Sequence, residues 1–169
     1  MKATYHKYLL QFKRPSGTSR GVMTEKETWF IVLEKEGKKG IGECGILRGL
    51  SIDDRPDYEE KLRWTCANIH LGENQLWEAL IEFPSIQFGV EMAFQSLVSE
   101  SPFLLFPSDF TNGRKSIPIN GLVWMGDIAF MKAQFAQKIA QGFRCVKLKI
   151  GALDFEKELE LLREIRAQF

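Results

Sequence analysis

Two lysines spaced two residues apart, Lys147 and Lys149, are the side chains in this sequence whose type and spacing could do chemistry. They lie in the run 143–150, which has the β-rich composition of a strand. Because strand side chains alternate between two faces, both lysines lie on one face, and the apolar Val146 and Leu148 lie on the other. Without further context, the pattern is typical of a half-exposed strand whose lysines lie in solvent.

Two ammonium groups held close together repel each other, and partial burial also disfavours their charge, so both effects lower a lysine pKa. A lysine whose pKa is lowered toward neutrality can act as a general base. A neighbouring lysine that stays protonated can stabilise the anion that forms. Abstraction of a proton next to a carboxylate also needs strong electrophilic help, which Mg²⁺ bound to the enediolate supplies.

The elements around the lysines alternate in type, which is typical of a parallel sheet covered by helices. We therefore predict that residues 114–169 are the first two β/α units of a (β/α)₈ barrel. In such barrels the active site lies at the carboxyl ends of the strands, where this pair would lie. The second helix should bury Leu159, Leu162 and Ile165. The predicted order is strand 117–124, helix 127–141, strand 143–150 and helix 155–165.

Residues 1–113 are predicted to form an α+β cap domain, in which a three-stranded antiparallel sheet is followed by helices. A polar, glycine-containing segment at 15–21 separates the first two strands and is predicted to be a mobile loop. Residues 102–115 are irregular and should be the linker. Strands are predicted at 5–13, 28–34 and 40–44, and helices at 58–69, 76–83 and 84–98.

The composition excludes several classes of function. With 23 basic and 22 acidic residues the net charge is +1, so the chain lacks the basic stripe of a nucleic-acid-binding protein. It has neither an apolar run long enough to cross a membrane nor the apolar stretch of a signal peptide near its start. Its three cysteines show no CxxC pairing, which favours buried, reduced thiols in a cytoplasmic protein.

Two parallel strands cannot bury their faces without neighbours. A complete barrel takes about 250 residues, far more than the C-terminal part of this sequence. We therefore expect the chain to be a fragment, or to be completed by another chain or a homo-oligomer.

Taken together, these features resemble the enolase superfamily, and the KxK strand resembles its muconate-lactonizing subgroup. Within that subgroup the chain is similar to the o-succinylbenzoate synthases of menaquinone biosynthesis. The resemblance covers the whole sequence but only about half of the family's length. It rests on Gly42-Glu43, Gly49-Leu50-Ser51, Phe88-Gly89-Val90-Glu91-Met92-Ala93, Ile119-Asn120-Gly121-Leu122-Val123-Trp124 and the lysine strand.

The resemblance implies roles for particular residues. Lys149 matches the family's proton-abstracting base, and Lys147 matches the lysine that assists it electrostatically near the substrate carboxylate. Ser19, Arg20 and Arg48 match positions on the two cap loops that face the site, and we take them as candidate substrate-binding residues. Ordinary solvated loop positions remain the alternative for these three.

The same resemblance implies Mg²⁺ as the cofactor, with its carboxylate ligands on later barrel strands that this sequence does not contain. We therefore assign no metal ligand. Asp154 and Glu156 are better explained by capping and the dipole of the helix that starts there, and Glu43 by a structural role in the cap.

The activity implied by the resemblance is that of a carbon–oxygen lyase, which abstracts the proton α to the carboxylate of a small-molecule substrate and eliminates water. One alternative is a dipeptide epimerase or N-acylamino acid racemase, which would use the same lysines. A second alternative is a polypeptide that is inactive alone because it lacks the metal site.

Overall fold

The computed structural model describes residues 1–18, 21–151 and 153–168. The chain forms two compact units. The first, called the cap unit here, comprises Met1–Ser16 and Met23–Arg114. The second, the barrel unit, comprises Gly17–Val22 and Lys115–Phe169.

The cap unit is built on a three-stranded antiparallel sheet, as predicted, with strands β1 (Lys2–Thr18), β2 (Gly21–Lys35) and β3 (Lys38–Gly45) in that order. Glu36 and Gly37 join β2 to β3, and both have a positive φ, of 51° and 78°. A two-residue hairpin turn needs this backbone conformation at both positions, which explains the glycine.

The predicted loop at 15–21 is wrong for the residues that the structure describes, because β1 continues through Thr18 and β2 begins at Gly21. Its mobility stays a prediction. The Thr18 hydroxyl donates to the Gly21 carbonyl oxygen at 2.8 Å. Pairing between β2 and β3 begins only at Thr28 and Gly45, so the earlier part of β2 pairs with β1 alone. Such a two-stranded ribbon covers no core, and its polar composition therefore resembles that of a loop.

Three helices follow the sheet: α1 (Tyr58–Ala67), α2 (Gly72–Ala79) and α3 (Pro84–Val98). Helix α1 ends two residues before its predicted end, and a 3₁₀ turn at Ile69–Leu71 continues the chain. Pro84 occupies the first turn of α3, where its missing N–H costs no hydrogen bond.

The core of the cap unit lies between the sheet and these helices. Helix α3 buries one stripe against β3, while Phe88 and Val98 on the same helix are exposed. The Tyr58 ring lies between two other aromatic rings of this core. Its centroid is 6.4 Å from that of Trp29 and 6.4 Å from that of Phe83. The buried side chains of the stripe are Ile86, Val90, Ala93 and Leu97.

Glycines allow α3 to approach β3 at backbone distance. A Cβ built on Gly42 would overlap the carbonyl oxygen of Gly89, and one on Gly40 would overlap that of Ala93. A Cβ on Gly89 would in turn overlap the Cys44 sulfur. The helix and strand therefore touch through main-chain atoms, and a methyl group at any of these positions would force them apart.

A cluster of ion pairs ties β1 and β2 to the segment after β3. The Glu27 carboxylate accepts from Lys7 at 2.7 Å, from the Trp29 indole at 2.9 Å and from the Arg48 guanidinium. Arg48 also donates to Asp54 at 2.7 Å. Burial raises the pKa of Glu27, but the hydrogen bonds from Lys7, Arg48 and Trp29 outweigh it and hold that pKa below its ordinary value.

The barrel unit contains β4 (Gly121–Val123), α4 (Ile128–Ala140), β5 (Val146–Leu148) and α5 (Phe155–Gln168). The two strands pair in parallel, which fits the predicted start of a barrel. Both are shorter than predicted, with three residues each. Among the described residues each strand has one neighbour, so only the paired positions have ladder hydrogen bonds.

Helix α4 begins and ends close to its predicted limits. The Asp127 side chain caps it by accepting from the Phe130 N–H at 2.8 Å, and Gly142, with φ of 81°, follows its last turn. On α5 the predicted apolar stripe is partly wrong. Ile165 is buried, but Leu161 is the buried leucine, at 1% exposure, whereas Leu159 and Leu162 are only half-buried.

All three cysteines are free thiols: Cys44 is buried, Cys66 is half-buried and Cys145 is exposed, so the expectation of buried thiols fails for Cys145. In the part of the chain that the structure describes, every helix is too short or too polar to cross a membrane.

Because Gly42 contacts α3 through its backbone, Gly42→Ala should lower the free energy of unfolding by about 3 kcal/mol, the upper range for overpacking. Gly45→Ala on the same strand is the control, since its Cβ would meet only the Lys26 ammonium at 3.4 Å and the Glu43 carboxylate at 3.8 Å. Gly45→Ala should change stability by less than about 0.5 kcal/mol. Urea unfolding measures both variants, and equal losses would contradict a specific backbone contact.

The Glu27 pKa is lowered in the folded chain, so this group contributes stability above its ordinary pKa of 4.5 that is lost as the pH falls through the folded value. Glu27→Gln should therefore be less stable than wild type at neutral pH, yet lose less stability on acidification. Glu25→Gln, at an exposed position of β2, should retain the wild-type pH dependence. Urea unfolding across acidic pH tests this; parallel curves for wild type and Glu27→Gln would contradict it.

Candidate active site

The parallel register of β4 and β5 determines which way Lys147 faces. Val123 lies opposite Leu148, and Leu122 lies opposite Lys147. Val123 is 1% exposed and belongs to the helix-covered core, against which Leu148 packs. Lys147 and Leu122 therefore lie on the opposite face of the strand pair, away from that core.

Lys147 is the central residue of the short strand β5, and Lys149 lies just beyond its carboxyl end. Strand β5 ends at Leu148, and Lys149 is the next residue. Lys147 and Lys149 are both exposed, as is Trp124, which directly follows β4 and is 53% exposed. Both predicted catalytic residues are thus exposed and lie close together in the chain near the end of β5, and Leu122 is the neighbour of Lys147 on β4.

The main chain that follows Lys149 is bound by a buried acidic side chain, which the sequence analysis did not single out. Glu158 on α5 is 5% exposed. Its carboxylate accepts from the N–H of Gly151 at 2.7 Å and from the N–H of Leu153 at 3.1 Å. The only sequence signal was an acidic residue in the first turns of α5, and this signal does not separate a buried carboxylate from an exposed one.

Asp154 accepts a hydrogen bond from the Lys157 N–H at 3.3 Å, which fits its predicted capping role, and Glu156 is exposed. Among the residues present in the structural description, no group of three or more acidic, histidine or cysteine side chains could hold a metal ion. The described residues therefore do not by themselves fit a Mg²⁺ site.

The tip of the β1–β2 hairpin belongs to the barrel unit. A Cβ built on Gly17 would lie 3.9 Å from that of Met125, which follows Trp124 just beyond the carboxyl end of β4. The described part of the tip therefore lies beside the strand ends. Ser19 and Arg20, two of the candidate substrate-binding residues, lie outside the described residues.

Arg48, the third candidate, lies in the cap unit and is already paired. Its guanidinium donates to Glu27 and to Asp54, and it lies 5.8 Å from the centroid of the Tyr58 ring. Asp54 also accepts from the Gly49 N–H at 2.6 Å, and this bond, with that from Arg48, lowers the pKa of Asp54. These contacts give Arg48 a clear structural role; its binding of substrate stays a prediction.

Glu43 also makes contacts that suit the structural role expected for it. Its carboxylate accepts from the Thr28 hydroxyl at 2.7 Å and from Lys26 at 3.2 Å. The hydrogen bond from Thr28 is the main reason that the pKa of Glu43 lies below its ordinary value.

Comparison with known proteins gives relatives over the whole chain. The o-succinylbenzoate synthase of Desulfotalea psychrophila is 38% identical to it, and the alignment covers all of this chain and 54% of that protein. The crystal structure of MenC from Desulfotalea psychrophila superposes with a TM-score of 0.79 at 32% identity, over 100% of this chain and 53% of that one. The chain thus spans about half the length of the relatives that it matches.

More distant structures share the fold. The o-succinylbenzoate synthase of Thermosynechococcus elongatus, complexed with Mg in its active site, matches with a TM-score of 0.71 at 22% identity, over 99% of this chain and 48% of that one. The dipeptide epimerase of Methylococcus capsulatus, complexed with Mg and a dipeptide, matches with a TM-score of 0.71 at 20% identity, over 98% and 49%. At these identities the likeness shows the fold alone.

The MenC N-terminal domain family matches residues 1–97. Because this family model covers more than half of the chain, the chain belongs to the MenC family.

Proposed function

We propose that this chain provides the cap and the proton-abstracting side of an o-succinylbenzoate synthase-type lyase. The observation that carries the proposal is that Lys147 lies on the open face of β5 and that the exposed Lys149 directly follows this strand. The relationship to a named o-succinylbenzoate synthase supports the substrate class, a small carboxylate of menaquinone biosynthesis.

In the proposed reaction, Lys149 Nζ takes the proton from the carbon α to the substrate carboxylate. The ammonium of Lys147 stabilises the negative charge that develops on that carboxylate. The carbon–oxygen bond at the neighbouring carbon then breaks, and the leaving hydroxide takes up the proton that Lys149 has gained, so the products are the dehydrated acid and water and Lys149 is again neutral. The described part of the hairpin tip, at Gly17, lies beside Met125 and would border this face.

Mg²⁺ is the cofactor that the proposal expects, since a relative of the same fold is complexed with Mg in its active site. Its ligands would lie outside the described residues, and no step is assigned to it. A further polypeptide segment, a completing chain or a second copy would supply them. The free thiols are compatible with the cytoplasmic location that the proposal includes.

A second candidate activity is dipeptide epimerisation, because dipeptide epimerases share this fold. An epimerase needs a second base that returns the proton to the opposite face of the substrate carbon. Gly49-Leu50-Ser51 favours the synthase, as does the named relative. Incubation with dipeptides in D₂O separates the two activities: deuterium at the α-carbon of a dipeptide, without dehydration of the substrate of o-succinylbenzoate synthases, would identify an epimerase.

Lys149→Ala should abolish dehydration, lowering kcat by at least about 10³-fold, because a missing general base removes about 10²–10⁴-fold and its charge is lost as well. Lys147→Ala should also reduce kcat. Lys157→Ala, at an exposed position of α5, is the control and should keep wild-type kinetics. Product absorbance measures turnover in the longest chain that the native gene encodes, and retained activity of Lys149→Ala would remove Lys149 from its role.

The 169-residue chain by itself should show no Mg²⁺-dependent dehydration, because its described residues form no metal site. The test combines an intact-mass measurement, which verifies the length, with the same absorbance assay at saturating Mg²⁺. Robust turnover by the purified 169-residue chain would show that no further half is needed.

A further inference from the structure

Among the described residues of the barrel unit, the carboxylate of Glu158 is the most deeply buried charged group, and the proposed chemistry leaves it unused. It is 5% exposed and faces the loop between β5 and α5. Its two oxygens accept from separate backbone donors, Oε2 from the Gly151 N–H at 2.7 Å and Oε1 from the Leu153 N–H at 3.1 Å. A buried carboxylate is stable only with such partners, so side chain and loop hold each other in place.

The loop would not keep this shape by local preference alone. Gly151 has a φ of 97°, a conformation that other residues rarely adopt, and it turns the chain from the strand toward α5. The Glu158 hydrogen bond is made by the N–H of this same residue. The carboxylate therefore stabilises the turn where the main chain leaves β5.

Lys149 lies between two fixed points. On one side, Leu148 pairs with Val123 in the parallel ladder. On the other side, two residues beyond Lys149, Gly151 is bound by Glu158. Because Lys149 has left the ladder, the direction of its Cα–Cβ bond depends on both.

We propose that Glu158 is a positioning residue that orients Lys149 by fixing the backbone at Gly151 and Leu153. The kinetic part of this inference rests on the proposed function, in which Lys149 is the base. Glu158 itself is buried under the loop and does not touch the substrate. A side chain that only stabilised α5 would leave the geometry at Lys149 unchanged.

The first test is independent of activity. Amide hydrogen exchange and backbone NMR are measured on the full chain for wild type, Glu158→Gln and Glu156→Gln; the last removes an exposed charge from the same helix start. Glu158→Gln can accept through one oxygen only, so the amides of Gly151 or Leu153 should exchange at least about tenfold faster, with shift changes that include Lys149. Glu156→Gln should leave these signals at their wild-type values.

The second test uses the dehydration assay in the active, longest chain. Glu158→Gln should lower kcat by about 10- to 100-fold, the cost of misplacing a catalytic group, while KM changes by less than about threefold. Glu158→Asp keeps the charge but reaches less far, and should recover part of the loss. If Glu158→Gln does not fold, Glu158→Asp alone is compared with wild type in both tests.

The outcomes separate the two proposals. Unchanged Gly151, Leu153 and Lys149 signals in Glu158→Gln would overturn the positioning role whatever the activity of the wild type. Altered signals with unchanged kcat in an active enzyme would also overturn it. The third outcome is altered signals in Glu158→Gln together with a wild-type enzyme that shows no dehydration in its longest form. This outcome would contradict the proposed function, whereas the structural link between Glu158 and Lys149 would remain.

Discussion

The pairing register between β4 and β5 is the constraint on which the site depends. Val123 opposite Leu148 places two apolar side chains under α4 and α5, and alternation then puts Leu122 and Lys147 on the other face. A shift of one residue would bury a lysine among the apolar side chains of this core, at a cost that the small core could not offset. The same apolar contacts that fold the barrel unit therefore also set the direction of Lys147 and fix the last strand residue before Lys149.

In the cap unit, polar contacts hold the loops in place, and an apolar core supports these contacts. The core includes the contact of α3 with β3. The Glu27 carboxylate accepts hydrogen bonds from Lys7, Trp29 and Arg48. The charges are only partly buried and share several partners, so each contributes modestly and the cluster acts as a whole. Arg48 thereby fixes the segment between Gly45 and Asp54, whatever it contributes to binding.

The regular elements could be predicted because their apolar residues recur with the period of a strand or a helix, as at Val146 and Leu148 or at Met131 and Phe135. The prediction failed where burial does not follow hydrophobicity. The ribbon up to Thr18 is a strand with no core to cover, and Glu158 is a charged residue inside the helix-covered face. Backbone hydrogen bonds explain both features. Because nearly every residue type can make such bonds, the amino-acid composition of a segment does not reveal them. Ser19 and Arg20 lie outside the described residues, and the roles of the lysines stay proposals.

The contact between Gly42 and the Gly89 carbonyl has a consequence for how such a domain can change over time. Where helix and sheet meet through side chains, their spacing follows the volume of whichever residues happen to fill the gap. Here the distance between α3 and β3 is set by the radius of a carbonyl oxygen, so this distance does not depend on the size of any side chain. Side chains elsewhere in the interface, such as Val90 or Leu97, can therefore be exchanged and repacked without moving the helix. The loops at the end of the sheet then keep their positions while the surrounding sequence changes.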